Sequence, residues 1–347
     1  MPEPAGASGS REPPAASRRP FASLSRTRVP AAFFGMVLGL CGLGNGWRAA
    51  ARLGLAPAWI GEMLALLGVA VWAAWLILYA ARWLNDRDAV LVEARDPTSS
   101  FFAALAPVAT MIASIGLAPH GEGAAWVMAL AGLVGTTLFA VWGVGGLWMG
   151  GRAVEATTPI LYMPTVGGGF VAAMTCAAFD MKELGMLYFG AGLLSWLTLE
   201  SVVIHRLILK ALPVPLRASL GLHLAPPAVA CVAYLAVTDG PPDRFAQILF
   251  GYALFYALVT ARLVPWLRQQ PFSPAAWAYT FGISALPLAA LRLTERGLEG
   301  PSASLAVPLF AAANLIIGWI ALRTLSLLLR GKLLPVRPLE VRAEGDG

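Results

Sequence analysis

Residues 159–179 read PILYMPTVGGGFVAAMTCAAF, and after a short polar break residues 185–208 read GMLYFGAGLLSWLTLESVVIHRLI. Each is close to the ~20 apolar residues that a helix needs to cross a ~30 Å hydrocarbon layer. Neither shows the polar–apolar alternation of a barrel strand, and an open strand in lipid would leave its amides and carbonyls unpaired. Both segments therefore read as membrane-crossing helices, joined as a hairpin. They differ in one respect. The first holds Pro164, the run Gly167-Gly168-Gly169 and no charged residue, whereas the second carries Glu200, His205 and Arg206.

The same pattern extends in both directions. Ten apolar runs fall at about 30–48, 58–81, 100–118, 124–149, 159–179, 185–208, 218–237, 245–267, 274–291 and 302–329. The 347 residues are 58% hydrophobic and 13% charged, with mean hydropathy +0.69, which excludes a water-soluble fold. The expected fold class is an all-α integral membrane protein of ten transmembrane helices arranged as five hairpins. Residues 1–28, rich in Pro, Ala, Ser and Arg, read as a disordered cytoplasmic tail, 29–330 as the transmembrane domain and 331–347 as a cytoplasmic C-terminal tail. The net charge of +6 does not indicate nucleic acid, because the basic residues cluster between apolar runs. Eighteen Lys and Arg fall on one side of the ten-run topology and six on the other, which places both termini in the cytoplasm. Cys41, Cys176 and Cys231 each lie inside an apolar run and read as packing residues.

Irregular backbone is concentrated in the odd-numbered runs. Interior prolines fall at Pro107, Pro164, Pro226, Pro227 and Pro287, with Pro308 in the tenth run as the main exception; the first run instead has Gly35, Gly39, Gly42 and Gly44. Proline bends a helix and frees carbonyls, which is tolerated best against protein or a water-filled cavity. The odd runs also contain no Asp, Glu, Lys or Arg over about 31–47, 100–118, 159–179, 218–237 and 274–291. Two readings are open: buried core helices in which proline is simply common, or a neutral pore lined by the odd helices. A neutral pore would hold no fixed anion to repel anionic solutes, and Arg48, Arg217 and Arg292 fall near its expected mouths. The candidate pore-helix kinks are Gly35, Gly39, Pro107, Pro164, Pro226, Gly282 and Pro287.

Enzyme chemistry is poorly represented. The chain lacks an HExxH, a Walker loop and a CxxC, and no cofactor or metal site is indicated. Glu200 is the clearest intramembrane ionisable residue, a default functional candidate. It would serve either a proton-coupled carrier, together with His223, or a buried ion pair with Arg262 at a helix–helix contact. A haem site on His205 and His223 would need the two imidazoles to face each other. Asn45 and Asn314 read as interhelical hydrogen-bonding residues, and Glu62 lies close enough to a span end to reach water.

Several segments, in order, resemble a known family. They are Phe34-Gly35-Met36-Val37-Leu38-Gly39-Leu40 with Trp47-Arg48, Tyr162-Met163-Pro164, Tyr188-Phe189-Gly190-Ala191-Gly192 with Trp196 and Glu200, Leu249-Phe250-Gly251-Tyr252, Arg262-Leu263-Val264-Pro265-Trp266, and Trp277-Ala278-Tyr279-Thr280-Phe281-Gly282. This set is similar to the tellurite-resistance/dicarboxylate transporter family, the TehA-type group that includes the plant guard-cell slow anion channel, over about residues 29–330. The resemblance implies a homotrimer, each protomer carrying its own pore lined by the odd helices, and a pore-occluding phenylalanine on the ninth helix. The matching position is Phe281. The N-terminal tail is shorter than the regulatory region of the plant channels, so phosphorylation control of their kind is not expected.

Together these readings lead to the expectation of a non-enzymatic protein of the bacterial cytoplasmic membrane. It would move small anions, whether C4-dicarboxylates, tellurite, sulfite or halide-like ions, through a neutral pore gated by Phe281. The expected partners are the anions, the lipid bilayer and further copies of the chain. A proton-coupled dicarboxylate carrier is the competing expectation.

Overall fold

A computed structural model describes residues 29–334 except residue 97, so the expected N-terminal tail and the chain beyond residue 334 lie outside the described residues. The described elements are helical, with no strand among them. In chain order they are α1 (Gly35–Arg52), α2 (Ala58–Asn85), α3 (Arg87–Arg95), α4 (Ser99–Phe102), α5 (Leu105–Leu117) and α6 (Glu122–Trp148). There follow α7 (Gly168–Ala178), α8 (Lys182–Leu209), α9 (Ala225–Val237), α10 (Arg244–Leu267), α11 (Thr280–Glu295) and α12 (Pro301–Leu329).

Five antiparallel pairs form, α1–α2, α5–α6, α7–α8, α9–α10 and α11–α12. One member of each pair is long and uninterrupted, the other short and preceded by a tighter or wider turn. Ala31–Phe34 is a 3₁₀ turn ahead of α1, Met163–Gly167 a π turn ahead of α7, Val214–His223 a 3₁₀ segment ahead of α9, and Pro274–Tyr279 another ahead of α11. The prolines explain much of this. Pro164 sits inside the π turn, where its missing N–H and bulky ring prevent regular α bonding. Pro226 and Pro227 open α9, where an unused amide costs nothing. Pro107 lies in the first turn of α5, and Pro287 is the inner-helix proline that stands well inside its helix; on the outer helices Pro308 lies inside α12 and Pro265 near the end of α10.

The interrupted helices are the inner ones. They contact one another in the closed sequence α1–α5–α7–α9–α11–α1, and the long helices stand outside that ring. In the interrupted segments from Ser99, Pro159, Leu216 and Pro274, 61 to 83% of the most apolar window is buried, against 17 to 28% in α2, α6, α8, α10 and α12. The outer faces carry exposed Ile77, Leu138, Leu197, Leu258 and Leu322, an apolar belt suited to lipid rather than water.

Nine helical segments are long and apolar enough to cross a membrane among the described residues. The first inner segment is not one of them, because five glycines, Asn45, Arg48 and Arg52 dilute the hydropathy of α1. Those glycines are what the ring requires. A Cβ on Gly39 would lie 2.2 Å from Thr280 Oγ1 and one on Gly42 2.3 Å from Ser284 Oγ, so α1 and α11 close the ring through glycine. Gly282 does the same towards α9, where a Cβ would meet Ala225 N at 2.9 Å. Gly39 and Gly282 are points of close approach within α1 and α11, and Gly35 stands at the turn-to-helix boundary. Polar ties join inner to outer helices: Trp72 Nε1 donates to Thr110 Oγ1 at 2.9 Å, Trp47 Nε1 to Asn314 Oδ1 at 2.8 Å and Trp277 Nε1 to Thr324 Oγ1 at 2.9 Å. Cys41, Cys176 and Cys231 are free and buried.

Helix ends run past the sequence reading at α1, which reaches Arg52, α2, which reaches Asn85, and α11, which reaches Glu295. The short helix α3 was not expected. It is amphipathic, and Glu93 on it bonds the buried Arg82 of α2, whose Nη1 also donates to Val29 O at 3.4 Å.

Candidate functional site

The ring encloses two cavities in series. The larger, about 370 Å³, is lined by every inner helix: Gly42 and Asn45 from α1, Ile112 from α5, Met174 from α7, Val229 from α9, and Ser284 and Leu288 from α11. The smaller, about 90 Å³, lies towards the 3₁₀ and π turns, where Gly35, Leu38, Phe102, Met163, Leu222 and Trp277 line it. Among the described residues a single one lines both, Phe281, which is 6% exposed. Its position follows from the local fold. The turn Pro274–Tyr279 ends at Thr280, and Phe281 is the second residue of α11, directly before the glycine that lets α9 and α11 touch.

Charge is distributed unevenly along these cavities. The charged lining residues are Lys182, Asp239, Arg292 and Arg296, all at the end of the larger cavity formed by the α9–α10 loop and the C-terminal end of α11. Lys182 Nζ pairs with Asp239 Oδ1 at 2.6 Å, and this ammonium holds the exposed Asp239 carboxyl below the ordinary carboxylate range. Arg296 is bound to backbone, donating to Gly240 O at 2.7 Å and Leu235 O at 2.9 Å. Arg292 Nη1 bonds Glu295 Oε2 at 3.0 Å, and Glu295 also receives Arg52 Nε at 2.5 Å. Three cations against one anion give this mouth a net positive lining, while the space on either side of Phe281 is bounded by neutral side chains.

The expected mouth residues are thus only partly placed there. Arg292 lines the cavity. Arg48 instead binds both carboxylate oxygens of Glu62, at 2.8 and 2.6 Å, and donates to the carbonyls of Ile115 and Gly116 at the C-terminal end of α5; Arg217, between Leu216 and Ala218, which line the smaller cavity, stacks on Trp266 at 4.2 Å. Glu62 also lies 2.8 Å from His120 Nε2, and its side chain remains a third exposed, so it reaches water as expected while forming the hub of a charged cluster. Lys182 and Arg296, counted in the sequence only as topology signals, are the mouth cations that reading missed. Their position next to loop residues on the less basic side was the available clue. Asn45 faces the larger cavity, whereas Asn314 does make the expected interhelical bond.

Glu200 lies on an outer helix but faces inward. It accepts hydrogen bonds from Tyr162 Oη at 2.7 Å, from Trp196 Nε1 at 2.9 Å and from Tyr256 Oη. His223 Nδ1 is 3.8 Å from Glu200 Oε1 and 3.3 Å from Tyr162 Oη. The structure therefore brings Glu200 and His223 together, as one sequence alternative required. It does not bring Arg262 to Glu200: Arg262 is exposed on α10, about 1.7 turns beyond Tyr256, and that pairing is corrected. The tyrosines take the role assigned to arginine because they donate to a carboxylate without adding a second charge to be desolvated. His205 is exposed while His223 is buried, so the two imidazoles do not face each other.

Comparison with known proteins places this arrangement. Residues 28–325 match the family model described as SLAC1, voltage-dependent anion channel. A tellurite resistance protein TehA homolog from Haemophilus influenzae is 31% identical over 306 residues, covering 88% of this chain and 92% of the relative. The S-type anion channel SLAH3 of Arabidopsis thaliana is 24% identical over 303 residues, 84% of this chain but 47% of the plant protein. The S-type anion channel SLAH2 of the same plant is 26% identical over 304 residues, 84% of this chain and 57% of that relative, so the chain spans about half the length of these plant proteins.

Proposed function

We propose that this chain, which belongs to the voltage-dependent anion channel family, passes small anions along the axis of its inner helix ring and that Phe281 closes that path. One observation carries the reading: Phe281 is the single side chain that bounds both cavities. A benzyl ring at a constriction blocks ions sterically and by excluding water. The positive mouth would concentrate anions, and the neutral walls beyond it would select by the ease with which an ion sheds its water. Chloride, nitrate, sulfite, tellurite and C4-dicarboxylates all suit such walls, and the names of the relatives point to tellurite tolerance and anion conduction. The pore is complete within one ring, so a homotrimer would hold three parallel paths. Residence in a bacterial cytoplasmic membrane with both termini inside belongs to the same proposal, supported by the bacterial relative and the bias of basic residues.

Replacing Phe281 with Ala should raise chloride current in planar bilayers about a hundredfold or more, the scale expected when a steric barrier of roughly 3 kcal/mol is removed. Unchanged current in a folded variant would remove Phe281 as the plug. A second reading is favoured by the contact of Glu200 with His223: a proton-coupled carrier would show uptake of labelled malate that depends on a pH gradient, whereas a channel would ignore the gradient.

A further inference from the structure

Beside Phe281 lies a third void, about 10 Å³, walled by Tyr162, Met163, Phe170, Pro226 and Val229 together with Phe281 itself. A space of that size holds one water molecule at most. The Phe281 ring can therefore leave the axis in this direction only if the wall yields. Tyr162 is the part of the wall with a polar anchor, because its hydroxyl donates to Glu200 Oε2 at 2.7 Å. Glu200 is itself fixed by Trp196 Nε1 at 2.9 Å and by Tyr256. Neither Glu200 nor Tyr162 lines either of the two main cavities, so neither is placed to bind a passing anion.

We propose that Glu200 is a positioning residue for the gate: by holding the Tyr162 hydroxyl it immobilises the wall against which the Phe281 ring rests, and so keeps the axis closed. This rests on the reading of Phe281 as the plug. It gives the partly buried carboxylate a mechanical role in place of a proton-carrying one.

The test is the chloride current of purified protein in planar bilayers, without a pH gradient. Tyr162→Phe keeps the ring and removes only the anchor, and Glu200→Gln keeps the volume and weakens it. Each should raise the current about tenfold, the factor that accompanies loss of one hydrogen bond to a charged acceptor. Tyr256→Phe leaves Tyr162 tied to Glu200 but removes one of the two groups that fix that carboxylate, and should raise the current less than Tyr162→Phe does. Adding Tyr162→Phe to Phe281→Ala should change nothing further, because no ring remains to be held. Wild-type current in Tyr162→Phe or Glu200→Gln, an equal rise in Tyr256→Phe, or a persistent rise in the Phe281→Ala background would each overturn the proposal. If Phe281→Ala alone leaves the current unchanged, the plug reading fails first; if it conducts and Tyr162→Phe does not, only the positioning role fails.

Discussion

At the residue scale, space and charge make separable demands. Gly282 is wedged against backbone, with Ala225 N at 2.9 Å and Leu224 C at 3.0 Å from a Cβ placed there, so neither neighbour can step aside cheaply. Alanine or valine gains up to about 1 kcal/mol of helix propensity but separates α9 from α11, and overpacking of this kind costs about 1–3 kcal/mol. Gly282→Val should lower the melting temperature in detergent, whereas Gly190→Ala, with open space around it, should leave it equal or higher. Arg292 acts through charge. Arg292→Gln should lower anion current about tenfold at 10 mM salt, with the deficit largely lost at 1 M, where the screening length falls to about 3 Å. A deficit independent of salt would assign Arg292 to packing. Residue-level chemistry was the least legible part of the sequence. Proline and missing charge marked the inner helices, and the four-residue spacing on α8 places Trp196 beside Glu200, but nothing in the chain order announced that Tyr162 and Tyr256 would converge there, because they lie 38 and 56 residues away on other segments.

At the scale of elements, the inner helices were readable because their defects are local. A proline that cannot complete α bonding and a glycine that admits a neighbouring backbone leave their mark wherever the chain folds. The weak point was α1, where the glycines needed for contact with α11 also lower its hydropathy, so the segment expected as the first span is the one that length and apolarity do not single out. Helix α3 escaped the sequence reading because nine residues with four charges resemble a loop. Its place is set by Glu93, the carboxylate partner of the buried Arg82. Glu93→Ala leaves that guanidinium without its counter-charge, and because Glu93 is partly exposed the loss should fall below the roughly 3–5 kcal/mol of a fully buried pair. Hydrogen exchange across 87–95 should then accelerate while α7 and α9 stay protected; unaltered exchange there would show that α3 is held by something else.

At the scale of the whole molecule, fold and pore follow from one division of labour. Continuous apolar helices face lipid, and interrupted neutral helices close a ring whose interior is divided at Phe281. That division was legible in the sequence as alternation along the chain, since each hairpin supplies one helix of each kind; the mouth was not, because it is built from residues 57 positions apart, Lys182 at the start of α8 and Asp239 in the α9–α10 loop, brought together by the fold. The central claim is that a single aqueous axis exists and that one side chain interrupts it. Thiol accessibility from one side of the membrane tests this most directly. In a background with Cys41, Cys176 and Cys231 replaced by Ala, a membrane-impermeant thiol reagent applied at the Arg292 mouth should label Ser284→Cys and spare Leu38→Cys. With Phe281→Ala added, it should label both. Equal labelling of Leu38→Cys with and without the ring, or no labelling of Ser284→Cys at all, would contradict the account.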